Sequence, residues 1–121
     1  MSRLVTLFVT LALGAGDCEL EPLYFQFDSS EVTPEMRAVL EHNYDCLLKR
    51  SGRVTLEGHC DPRGTTEYNM ALGERRARMV HKLLGTMGLE KSRMRVLSKG
   101  EEEATGTSEA SRAEDRRVDF E

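Results

Sequence analysis

Residues 54–80 read VTLEGHCDPRGTTEYNMALGERRARMV, and this stretch decides the fold. Its first six residues alternate apolar and polar side chains, which is typical of a strand. The next part, residues 59–65, contains Pro and Gly and predicts a loop. From there apolar residues recur at helical spacing, which predicts a helix over residues 66–87 that ends before Gly88. The stretch is therefore a strand, a tight loop and a long helix.

The segment before this unit predicts a second strand–helix pair. Residues 23–27 (LYFQF) are rich in β-formers and predict a strand. Thr33 and Pro34 predict the N-cap and first residue of a helix that runs to about Arg50. The residues that we expect on its apolar stripe are Met36, Leu40, Tyr44 and Leu47.

The segment after the unit completes the fold with two further strands. Residues 94–98 and 116–120 are expected to be these strands. The polar stretch between them, residues 99–115, predicts a long surface loop with at most a helical turn. The order is βαβαββ, which indicates an α+β fold with two helices packed on one face of a small mixed sheet. We place this single domain at residues 23–121.

Length and charge exclude several classes of function. With 121 residues there is room for one domain, and the formal charge is −4. A nucleic-acid-binding protein or a polybasic membrane-surface protein needs an excess of Lys and Arg, so neither is expected. An anionic ligand could still bind where positive charges are concentrated locally.

The first 17 residues are typical of an export signal. Arg3 precedes an apolar run of about ten residues, which is too short to span a bilayer, and small residues follow it. Two kinds of processing stay open. Cys18 is a candidate lipidation site, and cleavage after Gly16 by the ordinary signal peptidase is the alternative. Cys46 and Cys60 would then be either a disulfide or two buried thiols.

Three charged residues stand where apolar residues or turn formers are expected. Arg76 lies near the middle of the apolar stripe of the second helix, and Arg116 shares a strand face with apolar neighbours. Asp61 lies in the loop that enters that helix. Each has an ordinary explanation: a snorkelling arginine, an edge-strand charge and a turn-forming aspartate. The stripe itself is predicted as Leu72, Met79, Val80, Leu83 and Met87.

Together these charges suggest a zwitterionic ligand such as an amino acid. Asp61 would bind an ammonium group and Arg76 would bind a carboxylate in bidentate geometry, while Asn69 could add amide hydrogen bonds. If Arg76 serves only the ligand, its removal should leave the fold intact.

The sequence also resembles the OmpA-like domain family, and within it the peptidoglycan-associated lipoproteins. The resemblance rests on five stretches in register between Tyr24 and the C-terminus. These stretches are YFQFDSS at residues 24–30, VTLEGHCDPRGT at residues 54–65, EYNMALGERRA at residues 67–77, SKGEE at residues 98–102 and DRRV at residues 115–118.

What the resemblance implies is a non-catalytic periplasmic domain that binds the diaminopimelate of peptidoglycan stem peptides. The family's ionic contacts match Asp61 and Arg76, and its other contacts match Asn69, Leu72, Phe27, Asp28, Arg116 and Arg117. A lipid anchor in the outer membrane and a Tol-system β-propeller protein are further expected partners. Gln26, Cys60 and Asp115 depart from the family pattern, and Asp115 would repel a ligand carboxylate.

Two other functions are weighed against wall binding. An enzyme would use His59, Cys60 and Asp61 as a metal or nucleophile cluster, but adjacent strand residues point to opposite faces, so no metal, cofactor or catalytic residue is expected. An envelope adaptor for a Tol-type protein, without wall binding, is the alternative.

Overall fold

The computed structural model describes residues 18–121 and places four strands, three α-helices and one 3-10 turn in them. The predicted signal segment, residues 1–17, lies outside the described residues. The elements in chain order are β1 (Leu23–Tyr24), α1 (Pro34–Leu48), β2 (Val54–His59), α2 (Thr66–Met87), the 3-10 turn (Lys91–Arg93), β3 (Met94–Gly100), α3 (Glu109–Asp115) and β4 (Arg117–Phe120).

The four strands form one mixed sheet in the order β1-β4-β2-β3. β2 pairs with β3 in parallel, and β4 runs antiparallel to both β1 and β2. Residues of α1, α2 and the sheet form a single apolar cluster, so both long helices cover the same face. The opposite face of the sheet, which we call the open face, carries Thr55, Glu57 and His59 of β2. The predicted α+β class is confirmed.

The helix α1 begins as predicted and ends two residues earlier. The side chain of Thr33 accepts a hydrogen bond from the Met36 N–H at 3.3 Å, and Pro34 is the first helical residue. Of the expected stripe, Met36, Leu40 and Leu47 are buried, while Tyr44 is partly buried.

The helix α2 has the predicted limits, but its buried stripe is rotated. Thr65 caps it by accepting from the Tyr68 N–H at 3.1 Å, and Gly88 follows its end at φ 123°. Met79, Leu83 and Met87, which we predicted in the core, are only partly buried. The buried residues of α2 are instead Asn69, Leu72, Gly73, Arg76, Ala77, Val80 and Leu84.

Two further predictions need correction. Residues 99–115 are not only a loop, because they contain α3, whose cap is Ser108. The disulfide joins Cys18 to Cys46, and Cys60 is a free, buried thiol, so a Cys46–Cys60 bridge is not formed. Among residues 18–121, no helix combines the length and apolarity that a membrane span requires.

Candidate functional site

The predicted site residues converge on one cavity of about 360 Å³ at the end of the sheet where β2 leads into α2. A volume of this size is in the range of small-molecule binding sites. The cavity is lined by Phe27, Asp28, Cys60, Asp61, Arg63, Gly64, Tyr68, Asn69, Leu72, Arg76 and Arg116. Of the eight residues that match the family's contacts, seven are among them, and Arg117 is not.

Arg76 is fully buried on the inner side of α2, and backbone carbonyl groups hold its guanidinium. Nε donates to the Ser29 carbonyl at 2.7 Å, and Nη2 donates to the Gln26 carbonyl at 3.1 Å. Nη1 donates to the His59 carbonyl at 2.8 Å and lies 3.7 Å from the Cys60 sulfur. Burial lowers the pKa of Arg76 from its ordinary value, but a guanidinium stays protonated in proteins.

This network corrects two expectations about Arg76. Four of its five N–H donors have partners within the described residues, so it cannot offer a bidentate pair to a ligand carboxylate. It also ties the β1–α1 connection to the end of β2, which makes it part of the fold. What Arg76 gives the cavity is a buried positive charge whose hydrogen-bond acceptors are all neutral groups.

Asp61 is buried and paired with two arginines. Arg63 donates Nε to Oδ1 at 3.2 Å and Nη2 to Oδ2 at 2.8 Å, and its backbone N–H donates to Oδ1 at 3.1 Å. Nη1 of Arg116 lies 3.4 Å from Oδ2. Burial alone would raise the pKa of Asp61, but the hydrogen bonds from Arg63 outweigh it and hold the pKa below its ordinary value. Asp61 is therefore charged at neutral pH.

Asn69 and Leu72 form the helical wall of the cavity. The Asn69 Nδ2 donates to the Arg63 carbonyl at 3.0 Å and to Oε1 of Glu101 at 2.9 Å. These two hydrogen bonds hold the loop between β2 and α2. Asn69 therefore positions Arg63 and does not offer its N–H groups to a ligand. Leu72 is buried beside it and adds apolar surface.

The opposite wall comes from the residues that follow β1. Phe27 is 55% exposed, and the Arg63 guanidinium lies over its ring at 4.0 Å from the centroid. Asp28 has a positive φ of 55°, a conformation that aspartate tolerates better than most residues, and accepts a hydrogen bond from the Tyr68 hydroxyl. An exposed aromatic ring beside buried charges gives the cavity an apolar lip.

A close contact between β2 and α2 fixes the distance of the helix from the sheet, and with it the position of the side chains that line the cavity. A Cβ atom on Gly58 would lie 1.8 Å from the Gly73 carbonyl oxygen, and one on Gly73 would lie 2.4 Å from the Ser98 Oγ. Only glycine permits this approach. Because Gly73 is one turn before Arg76, the contact brings the guanidinium to the carbonyls that it binds.

Four lining residues were not predicted as site residues from the sequence: Cys60, Arg63, Gly64 and Tyr68. Arg63 had a signal, because an Asp two residues before it can bond its backbone N–H in a tight turn. Cys60 carries no signal of reactivity. Burial raises the pKa of its thiol to about 11, so it is protonated at neutral pH and a poor nucleophile.

Two residues taken from the resemblance lie away from the cavity. Arg117 points to the open face, where its Nε donates to Oδ1 of Asp119 at 2.9 Å. Asp115 is buried and accepts from the N–H groups of Thr105 at 3.1 Å and Gly106 at 2.9 Å. It therefore holds the loop before α3 and does not line the cavity where a ligand carboxylate would lie.

Comparison with known proteins identifies the family of the chain. The model of the OmpA family matches residues 24–118. A protein of Pseudomonas aeruginosa named peptidoglycan-associated lipoprotein is 52% identical over 101 residues, which cover 80% of this chain. The match covers 59% of that relative, so the chain spans about three fifths of its length.

Solved structures give the same picture. The crystal structure of the peptidoglycan-associated lipoprotein from Burkholderia pseudomallei superposes with a TM-score of 0.76 at 37% identity, covering 82% of this chain and 86% of that one. A structure described as the cell wall anchor of the T6SS from Pseudomonas aeruginosa has a TM-score of 0.70 at 33% identity, covering 80% and 72%.

Proposed function

The chain belongs to the OmpA family, and on that premise we propose that it binds peptidoglycan non-covalently and contributes to the integrity of a bacterial cell envelope. The group that it recognises is the free end of diaminopimelate in the stem peptides. The names of its relatives support this proposal, since they include a peptidoglycan-associated lipoprotein and a cell wall anchor.

The observation that carries the proposal is that opposite charges from separate elements meet in one cavity. Asp61 comes from the loop after β2, Arg76 from the inner side of α2 and Arg116 from the residue before β4. A ligand that carries both charges fits this cavity, because it can replace the internal partners of Asp61 and Arg116 without leaving either buried charge unpaired. The free end of diaminopimelate carries an ammonium and a carboxylate on one carbon.

The internal ion pairs suggest how such a ligand binds. Arg63 and Arg116 both contact Asp61. A ligand ammonium would replace both at the carboxylate. The ligand carboxylate would take the guanidinium of Arg116, which is buried, whereas the partly exposed Arg63 would turn to solvent. Every buried charge stays paired in this exchange. Arg76, held by carbonyl groups, adds positive potential and one remaining N–H.

The proposal assigns binding and no catalysis. None of the matches given above is named as an enzyme. The Cys60 thiol at the cavity is protonated at neutral pH, with a pKa of about 11, and its hydrogen bond goes to the Asn69 carbonyl. The residues of the site therefore hold a ligand without offering an activated nucleophile.

Co-sedimentation with isolated sacculi tests the proposal. We expect the chain to sediment with diaminopimelate-containing sacculi and much less with sacculi whose stem peptides carry lysine, which lacks the second carboxylate. Asp61→Asn should weaken sedimentation roughly tenfold or more, because the ligand ammonium loses its only carboxylate partner from that loop. Phe27→Ala should weaken it less.

Matched substitutions outside the cavity serve as controls. Asp45→Asn changes the net charge equally on the exposed side of α1, and Tyr24→Ala removes an aromatic ring that is 48% exposed on β1. Both should sediment as the unmodified chain does. If Asp61→Asn sediments equally well, the site assignment is wrong. If the unmodified chain fails to sediment, an envelope adaptor such as a Tol-type partner becomes the better proposal.

We also propose a periplasmic location with attachment at the outer membrane as one of two states of the N-terminus. Relatives named as lipoproteins support the lipid anchor, and Cys18 is its candidate residue. In the structure, the Cys18 sulfur is bonded to Cys46. A thioether-linked lipid needs the same sulfur, so one chain cannot carry both. Mass spectrometry of the mature N-terminus distinguishes the two states.

A further inference from the structure

The open face of the sheet contains a histidine that the cavity does not explain. His59 is 2% exposed, and its Nε2 has no hydrogen-bond partner among the described residues. A buried polar atom without a partner costs free energy, so natural structures rarely keep one. The Nε2 atom is not isolated, however, because two carboxylates lie beside it.

The two carboxylates come from neighbouring strands. Glu57 precedes His59 by two residues on β2, and Asp119 is directly opposite Glu57 on β4. Oδ2 of Asp119 lies 3.3 Å from the His59 Nε2, and Oε1 of Glu57 lies 3.6 Å from it. The three ligand atoms all lie within 4.8 Å of one another.

The two distances from the His59 Nε2 to the carboxylate oxygens match the edges of a metal coordination shell. With Zn–N and Zn–O bonds of about 2.0–2.1 Å, ligand atoms at the corners of a tetrahedron lie roughly 3.3 Å apart. Glu57 and Asp119 are each 18% exposed, so an ion can reach the cluster from solvent. An imidazole with two carboxylates is a donor set that zinc accepts.

The neighbouring charged side chains leave the three metal-ligand atoms available. Arg117 binds the other carboxylate oxygen of Asp119, Oδ1, and leaves Oδ2 directed at His59. Oε1 of Glu103 lies 4.0 Å from the Nδ1 of His59, on the far side of the ring. That distance is too long for the hydrogen bond by which a second carboxylate orients a metal-binding histidine, so Glu103 adds only negative charge on that side.

We propose that Glu57, His59 and Asp119 bind a divalent zinc ion on the open face of the sheet. The ion would link β2 to β4, the strand that Arg116 directly precedes. Since His59 also accepts a hydrogen bond from Arg76 through its carbonyl, the ion would stiffen one wall of the cavity from the opposite face. This inference does not depend on what the cavity binds.

A second group of possible metal ligands has to be distinguished from this site. Cys18, His42 and Cys46 also lie within metal-binding distance of one another. Their two sulfurs form the disulfide, however, and a disulfide sulfur is not the thiolate that zinc requires. The chain contains three histidines, so His42 and His81 provide matched controls for His59.

The test is a zinc titration of the untagged, oxidised chain after removal of metal by a chelator. Isothermal titration calorimetry should give one zinc ion per chain. Asp119→Asn and Glu57→Gln should each weaken binding roughly tenfold or more, because each removes one ligand. His42→Gln and His81→Gln should bind as the unmodified chain does. In a ¹⁵N NMR spectrum, zinc should shift the Nε2 resonance of His59.

The outcomes separate the alternatives. His59→Gln should abolish binding. Because His59 is buried, its substitution is the one most prone to unfold the chain, so the test depends on the two carboxylate variants. Absence of binding by the unmodified chain up to about 1 mM zinc would overturn the proposal. So would unchanged binding in both carboxylate variants, or loss of binding in His42→Gln, which would move the site to the disulfide.

Discussion

At the scale of single residues, Arg76 donates hydrogen bonds to three backbone carbonyl groups of the protein. Its guanidinium satisfies the carbonyls of Gln26, Ser29 and His59, all of which face the protein interior around it. We expect Arg76→Ala to lower the free energy of unfolding by about 3 kcal/mol, since unpaired buried carbonyls cost roughly 1–3 kcal/mol each and relaxation recovers part of this. Urea denaturation followed by far-UV circular dichroism measures the change.

Arg78→Ala is the control for this prediction. Arg78 is an exposed arginine on the same helix with a single ion pair to Glu74. Its removal should change the free energy of unfolding by less than about 0.5 kcal/mol. Equal stabilities of the two variants would mean that Arg76 is not part of the fold, and the expectation from the sequence would be restored.

Arg63 is the residue whose removal should strengthen binding. Its guanidinium pairs with Asp61 and covers the Phe27 ring, so it occupies the place where a ligand ammonium would lie. Arg63→Ala removes this competitor, and the affinity for a diaminopimelate-containing muropeptide should rise several-fold. Calorimetric titration with the purified muropeptide gives the measurement. A weaker affinity would show that Arg63 itself contacts the ligand.

At the scale of elements, the contact between β2 and α2 permits a sharp comparison of two glycines in one helix. A Cβ at Gly73 would lie 2.4 Å from Ser98 Oγ and 2.9 Å from the Gly58 carbonyl, whereas at Gly85 it would meet only the Lys91 side chain at 3.5 Å. Gly73→Ala should therefore destabilise the chain by about 2 kcal/mol or more. Gly85→Ala should be neutral or stabilise it by about 0.5–1 kcal/mol.

Thermal unfolding of both variants checks the comparison. Because both positions are helical, helix propensity favours alanine at each, and only the close packing separates them. A Gly73→Ala variant as stable as the unmodified chain would mean that the helix can move away from the sheet at no cost. In that case the position of Arg76 would depend on its carbonyl partners alone.

The elements also show what the sequence could predict and what it could not. The limits of α2 follow from local chemistry, a Thr cap and a terminal glycine, and were predicted correctly. The 7-residue α3 was expected at most as a helical turn within a loop, because its polar sequence has no apolar stripe. The opposition of Glu57 and Asp119 depends on strand pairing over more than 60 residues. Alternation within a strand shows the face of a residue but not its neighbour on the next strand.

At the scale of the whole molecule, two paired carboxylates predict acid sensitivity. Although burial opposes it, hydrogen bonds from Arg63 lower the pKa of Asp61, and the neighbouring His59 and Arg117 side chains lower the pKa of Asp119. A lowered folded-state pKa gives stability that is complete above the unfolded value of about 4 and is lost as the pH falls through the folded values. Denaturant unfolding should therefore give constant contributions from these groups between pH 7 and pH 5 and a decline below pH 4.

The variant Asp61→Asn provides the control for acid unfolding. It removes one titrating group, so its stability should be lower at pH 7 and should fall less steeply below pH 4 than that of the unmodified chain. Parallel curves for the two proteins would show that Asp61 has the same pKa in the folded and unfolded states. That result would contradict the pairing with Arg63 and Arg116.

The disulfide connects the N-terminal segment to α1 and should raise the free energy of unfolding of the whole molecule. Cys18 and Cys46 are 28 residues apart, and closing a loop of this size in the unfolded chain stabilises the folded state by about 3.5 kcal/mol. Reduction with dithiothreitol, or the variant Cys46→Ser, should lower the free energy of unfolding by that amount. Cys60→Ser is the control, since it alters a thiol outside the bridge. If reduction leaves the stability unchanged, Cys18 is free to carry a lipid without loss to the fold.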